Sequence, residues 1–293
     1  MEMAMRASRL RIGIFAKIFQ RPSLEETFDT VCSHGIQSVQ FNMACVGLPT
    51  LPDAIPPAVC DHIVEAASRR GIQMPALSGT FNMIDPNVTA RAEGLTRLRV
   101  LAQAANCMAI PMITLCTGTR DPHNMWSRHP DNTTKEAWVD MLASMETAVQ
   151  IAEENGIVLG VEPELSNVID SALRARRLLD ELRTPRVKIV MDGSNLLSIH
   201  ELDKMHNILE QAFDLLGDDI QLVHAKDLMP DPADSPQARS VQSHHGAAGS
   251  GVLDYDLYLR LLQKVNYSGP LILHTLQEDE VDTSVAFLRS KLH

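Results

Sequence analysis

The 293-residue chain is poor in aromatic side chains, sparing with cysteine, and has no excess of basic charge. Its 26 Lys and Arg stand against 37 Asp and Glu, a formal net charge of −11. That sign argues against nucleic acid or an anionic membrane as the main partner, because both ask for surplus Lys and Arg. A local basic pocket is still compatible with it. No apolar run reaches the roughly 18 residues that a membrane span needs. The opening stretch MEMAMRASRLRIGIF lacks the apolar core and small-residue cleavage site of a secretory signal. The five cysteines (Cys32, Cys45, Cys60, Cys107, Cys116) are odd in number, widely spaced and free of any CxxC. They read as reduced, buried thiols of a cytoplasmic protein, not as a disulfide framework or a thiolate zinc site. A GxGxxG after the first apolar run is also missing, which weakens a doubly wound dinucleotide-binding sheet.

What is present is an ordinary globular composition, 45% hydrophobic and 22% charged, carrying a recurrent pattern. Short apolar runs occur at 11–15, 36–42, 72–79, 112–118, 157–162, 187–192, 220–224 and 271–274. Several are near-continuous in Val, Ile and Leu, as parallel strands buried on both faces should be. Helical periods follow each run: 24–34, 57–70, 90–105, 134–155, 171–182, 201–216, 255–265 and 281–292. Glycines 35, 71, 156 and 217 stand where four of these should stop. Eight βα units of about 37 residues each predict a parallel sheet with right-handed crossovers. Eight such units close most naturally into a single-domain (β/α)8 TIM barrel over 9–293, with residues 1–8 as a tail.

A TIM barrel carries its chemistry at the C-terminal ends of its strands. The last four runs end in Glu162, Asp192, His224 and His274, at separations of 30, 32 and 50 residues. Neighbouring strands lie about 4.8 Å apart, so four such groups can meet at one edge of the mouth. Two carboxylates and two imidazoles suit a divalent ion. One strand-end Asp or His by itself is more often a helix cap. Four together are costly to bury without pairing or a metal.

At these residues the chain resembles the xylose isomerase-like TIM-barrel superfamily, in its sugar phosphate isomerase and epimerase branch. The resemblance rests on Glu162, on Asp192 with Asn195, and on His224 with Lys226 and Asp227. It extends to SGTFNMIDPN (78–87), TGTRDPHNMWSRHPDN (117–132) and GSGVLDYDLYLRLL (249–262). It implies one divalent metal held from strands five to eight by Glu, Asp, His and Glu, with an enediolate formed as two Glu side chains move a proton on and off carbon. The ion implied is Mn²⁺ first, with Co²⁺, Mg²⁺, Zn²⁺ or Fe²⁺ as alternatives. The chain departs from that pattern at the eighth strand, where His274 replaces Glu.

Glu162, Asp192, His224 and His274 are therefore the expected metal ligands, and Glu162, His274 and Glu164 the expected catalytic groups. Glu164 lies two residues past Glu162 across Pro163, on the same side of an extended segment; its bland alternative is a surface carboxylate. His274 as acid or base suits proton transfer near neutral pH. Expected substrate contacts are Asn195, Lys226, His245, Asn82, Trp126 and Arg120, with Lys17 and Asn42 as weaker candidates. An indole at Trp126 suits a sugar ring, or else packs on a helix. Glu278 is a further loop candidate. The stretch 229–252 shows no period and reads as a lid bringing Arg239, His244 or His245 to substrate, or as a plain surface loop.

The expected function is a divalent-metal-dependent sugar isomerase or epimerase on a small-molecule carbohydrate, with a homo-oligomer as one option. A lyase or dehydratase on an oxidised sugar or glycoside is the closest alternative, since the same carbanion can expel a leaving group. A phosphodiesterase resembling the type-four apurinic endonucleases is disfavoured, because strands two and three end in Asn42, Gly79 and Asn82 where those enzymes place His or Glu. A non-catalytic barrel is the third option.

Overall fold

The computed structural model describes residues 10–229 and 245–292. Eight parallel strands form the barrel: β1 (Arg11–Phe15), β2 (Ser38–Phe41), β3 (Gln73–Ser78), β4 (Met112–Leu115), β5 (Val158–Val161), β6 (Val187–Asp192), β7 (Ile220–Leu228) and β9 (Pro270–Leu273). Each pairs with the next, and β9 pairs with both β7 and β1, which closes the ring. Helices α1 (Leu24–Ser33), α2 (Pro57–Ser68), α3 (Val88–Cys107), α4 (Lys135–Asn155), α5 (Ala172–Leu182), α6 (Met205–Leu216), α7 (Tyr255–Lys264) and α8 (Val281–Lys291) surround it. The expected TIM barrel is thus the observed fold. The 1–8 tail lies outside the described residues.

Local chemistry explains the boundaries. The side chains of Ser23, Asn87, Thr134, Ser171 and Asp254 each accept a backbone N–H at the start of the following helix, satisfying donors that the helix itself leaves free. Gly156, at φ +68, ends α4 in the left-handed conformation that glycine adopts cheaply. Gly217 differs from expectation: with φ −50 it opens a 3-10 turn (Gly217–Asp219) in place of a left-handed stop.

Two departures concern the site. The seventh strand does not end at His224 but runs on to Leu228. It can do so because β8 (His245–Ala247) pairs antiparallel with its last residues, Lys226 opposite Ala247. Part of the stretch expected to be a period-free loop is therefore strand. Arg239 and His244 lie outside the described residues.

Side chains alternate along each strand, and the inward set stacks in layers. Ala76, Met112, Val190, Leu222 and Ile272, with Phe15 and Val158, fill the barrel interior. A much larger apolar cluster lies between the strands and the helices. The residue two positions beyond each interior plug faces the same way, one layer nearer the mouth. From Val190, Leu222 and Ile272 that step reaches Asp192, His224 and His274. Tyr258 on α7 is fully buried, and its hydroxyl shares its one hydrogen between the carbonyl oxygens of Met191 at 3.0 Å and His224 at 3.3 Å. It ties β6 and β7 together beside Asp192 and His224, a contribution of about 1 kcal/mol.

Candidate functional site

Glu162, Asp192 and His224 converge. One donor atom from each lies within 4.8 Å of the others. Asp192 and His224 are register partners across β6 and β7, and Glu162 follows β5, its N–H donating to Leu115 O at 3.0 Å. Asp192 Oδ1 accepts from the Ser194 N–H at 3.0 Å, the Ser194 hydroxyl at 2.8 Å and the Asn195 N–H at 3.3 Å. That turn consumes one oxygen and leaves Oδ2 to the cluster.

The arrangement fits a cation on two independent grounds. His224 Nε2 sits 2.8 Å from Gln40 Oε1, an oxygen that only accepts, so Nε2 carries the hydrogen. Nδ1 then turns its lone pair toward Glu162 Oε1 at 3.2 Å and Asp192 Oδ2 at 3.7 Å. Acceptors facing one another so closely repel unless a proton or a metal lies among them. In addition, Asp192 Oδ2 is buried and accepts no well-formed hydrogen bond among the described residues, its compensation being the Lys226 ammonium at 3.3 Å. A buried carboxylate oxygen held by an ion pair alone retains room for a further cation.

Around the cluster runs a relay. Lys226 Nζ donates to Asn195 Oδ1 at 2.6 Å, and Asn195 Nδ2 donates to Glu162 Oε1 at 2.5 Å. Burial alone would raise Glu162 and Asp192, but Lys226, together with His224 when a proton is the cation on its Nδ1, outweighs it and holds both below the usual carboxylate range. Burial would lower Lys226, yet Asp192 and Glu162 hold it above the ordinary ammonium value. Glu164 behaves oppositely. It is 4% exposed, a buried group rather than a surface carboxylate, and burial pushes it up to about 7 against the Ser166 hydroxyl that donates to it at 2.6 Å. Burial, reinforced by Lys226, pushes His245 down to about 4. Burial and the neighbouring His224 push His274 well below its ordinary value.

His274 stands apart from the ligand cluster. Its ring is stacked between those of His224, at a centroid distance of 4.6 Å, and Phe15, at 4.7 Å. Neither of its nitrogens joins the three donor atoms that lie within 4.8 Å of one another. Nδ1 is 3.0 Å from the Thr275 hydroxyl. Thr275 has φ +55, an uncommon conformation for a β-branched residue, at the point where the chain leaves β9.

A cavity of about 400 Å³ opens over the cluster, lined by Glu162, Glu164, Asn195, Lys226, His245, His274, Trp126, Lys17 and Asn42 among others. Two expected contacts are elsewhere. Arg120 pairs with Asp140 at 2.5 Å and donates to Ile84 O, and Asn82 bonds the backbone of Thr119 in both directions. Both hold the loop after β4 in place and do not line the cavity, because their own partners consume their polar atoms. Glu278 likewise is taken up by Arg21. Sequence reasoning overlooked Gln40, Ser78, Thr114 and Phe15 on the cavity wall. Strand parity was the available signal: Gln40 lies two residues before Asn42 and faces the same side.

Fold and site together define a TIM barrel with a metal-type acid and imidazole cluster at the C-terminal mouth of its strands. The chain belongs to the xylose isomerase-like TIM barrel family, whose sequence model matches residues 28–291. It is 24% identical over 147 residues to a ketose 3-epimerase of Arthrobacter globiformis, covering 48% of this chain and 44% of that protein. It is 21% identical over 162 residues to an L-ribulose 3-epimerase of a Methylomonas species, covering 54% and 49%. The chain thus spans about half the length of the curated relatives it matches. Among solved structures it is similar to a 3-keto-D-glucoside 4-epimerase from E. coli in its apo form, with TM-score 0.69, 19% identity, and coverage of 96% of this chain and 99% of that one.

Proposed function

We propose that the protein is a divalent-metal-dependent sugar epimerase or isomerase acting on a ketose or keto-sugar through an enediolate. The observation that carries this reading is the convergence of Glu162, Asp192 and His224, with donor atoms within 4.8 Å of one another, beneath a polar cavity that Glu162 lines. The two curated relatives, both named as sugar 3-epimerases, support it.

Glu162, Asp192 and His224 would hold the ion, with Mn²⁺ as the favoured metal. A bound divalent ion supplies Lewis acidity toward a carbonyl and its neighbouring hydroxyl. The remaining work falls to the chain. Glu162 on β5 and His274 on β9 reach the cavity from strands separated by β6 and β7. Inversion at carbon needs that division: one group removes the proton from one face and the other returns it to the opposite face. Glu164 stands behind Glu162 as a second proton carrier. Asn195 and Lys226 fix the Glu162 carboxylate, and Trp126 and His245 border the sugar. The free state of Cys32, Cys45, Cys60, Cys107 and Cys116 supports a reducing, cytoplasmic setting. A lyase on an oxidised glycoside shares the first step, and the imidazole in place of the family's strand-eight carboxylate favours it as the second reading.

The test is metal content by plasma mass spectrometry on chelator-free wild type, Glu162→Ala and His274→Ala, followed by product analysis on ketoses and keto-glycosides. One divalent ion per chain is expected in wild type and His274→Ala, and none in Glu162→Ala. Absence of metal in all three after reconstitution sinks the Lewis-acid chemistry. Loss of metal in His274→Ala returns His274 to the ligand set.

A further inference from the structure

The polar cavity over the cluster is not closed on the β9 side. A second cavity of about 510 Å³ adjoins it, and the two share Phe15, His245, His274 and Thr275. We propose that this outer cavity is a second subsite, and that the substrate is a keto-sugar joined glycosidically to a second, uncharged ring. The proposal rests on the sugar chemistry above and names the substrate class of that same site.

Three observations carry it. The first is size. The inner cavity, about 400 Å³, already falls in the roughly 300–1,000 Å³ range of a complete small-molecule site. A single sugar ring therefore leaves the outer space unused. The second is chemistry. Ile18, Met229 and Leu276 give the outer cavity an apolar wall, and Gln277, Ser250 and Glu280 give it polar ones. Among the described residues its lining holds Glu280 and no Lys or Arg, so an anionic group placed against Glu280 would meet like charge. A neutral ring, apolar on its face and hydroxylated at its edge, suits it.

The third is an unmet hydrogen bond. His245 Nε2 is shut off from water and has no hydrogen-bond partner among the described residues, yet His245 borders both cavities. A buried imidazole nitrogen left without a partner costs about 1–3 kcal/mol, which an oxygen of a bound ligand relieves. A ligand that crosses from one cavity to the other brings its glycosidic oxygen or an adjacent hydroxyl to that boundary. The stacked rings of Phe15 and His274 form a flat wall on the same boundary, a surface on which a sugar face packs.

The experiment measures binding of the keto forms of methyl and phenyl glucoside, as both anomers, by calorimetry to the metal-reconstituted wild type, Ile18→Trp and Ser250→Trp. Both substitutions place a large ring in the outer cavity, at positions outside the ligand cluster and outside the lining of the inner cavity. The phenyl glucoside is expected to bind wild type about tenfold more tightly than the methyl one. In folded variants that preference disappears while methyl glucoside affinity stays within about twofold. Equal binding of the two in wild type, or a preference that survives both substitutions, overturns the subsite. Turnover is read separately: a retained phenyl preference without epimerisation, isomerisation or elimination of any keto-sugar overturns the proposed reaction and leaves the subsite standing.

Discussion

Gln40 sets which nitrogen of His224 faces the carboxylates. Its Oε1 accepts the Nε2 hydrogen at 2.8 Å, and its own Nε2 reaches the Thr114 hydroxyl at 3.4 Å. Without it the Nε2 hydrogen loses its acceptor, and the ring is left with its stack on His274 and its contact with Glu162. Partners of this kind typically alter metal affinity by about 10- to 100-fold. Gln40→Ala is therefore expected to weaken the metal by about that factor in a chelator-competition titration, with far-UV circular dichroism unchanged. Affinity equal to wild type would show that Gln40 does not orient the ligand. Glu162, Asp192 and His224 were legible as single letters because each is the first polar residue to end an apolar run. Gln40 was not, because it lies inside its run and only the inward parity of β2 gives it a role.

At the scale of elements, Arg120 in the loop after β4 was read as a substrate contact and instead braces the loop, while Trp126 of the same loop lines the cavity. Asn132 bonds Thr119, the Arg120 N–H and Ser166 O, and Arg120 and Arg91 both pair with Asp140 on α4. Burial pushes Asp140 up, but the two guanidiniums outweigh it and hold it below the ordinary Asp value of 3.8. A carboxyl depressed in the folded state stabilises above its unfolded value, about 3.9, and loses that contribution as pH falls through its folded value. Asp140→Asn is thus expected to cost about 1 kcal/mol at pH 7, the range of a largely solvated ion pair. Urea unfolding from pH 7 down to pH 3 should show the gap between the two proteins constant at first and then narrowing at the acid end. A gap that widens as pH falls would contradict the pairing. Arg120 was indistinguishable from a substrate ligand in sequence, because its partner lies 20 residues away on a helix face that periodicity does not mark.

At the scale of the whole molecule, the site gathers one layer of side chains from eight strands. With His224 neutral, two depressed carboxylates stand against one Lys at its floor and leave net negative charge there. An ion held there couples to folding. At a hundredfold excess over its Kd it adds about 2.7 kcal/mol, which is on the order of 5 °C or more in Tm for a domain approaching this size. Chelation of the wild type should lower Tm by that much, reversed by Mn²⁺, whereas Glu162→Ala should melt at one temperature with and without chelator. A wild-type Tm indifferent to both additions would remove the coupling.

The order of eight strands and eight helices, with boundaries within about four residues, was already written in the chain, because parallel strands buried on both faces and capped amphipathic helices are local patterns with strong periodicity. The sequence also marked three of the groups that meet at the mouth. Only the tertiary structure decided that His274 stacks on His224 outside the ligand cluster, that β8 lengthens β7 past His224, that Glu164 is buried, and that Arg120 and Asn82 face away from the cavity. Each of these depends on where closing the barrel and stacking the inward layers place distant side chains, and no local period in the chain carries that distance.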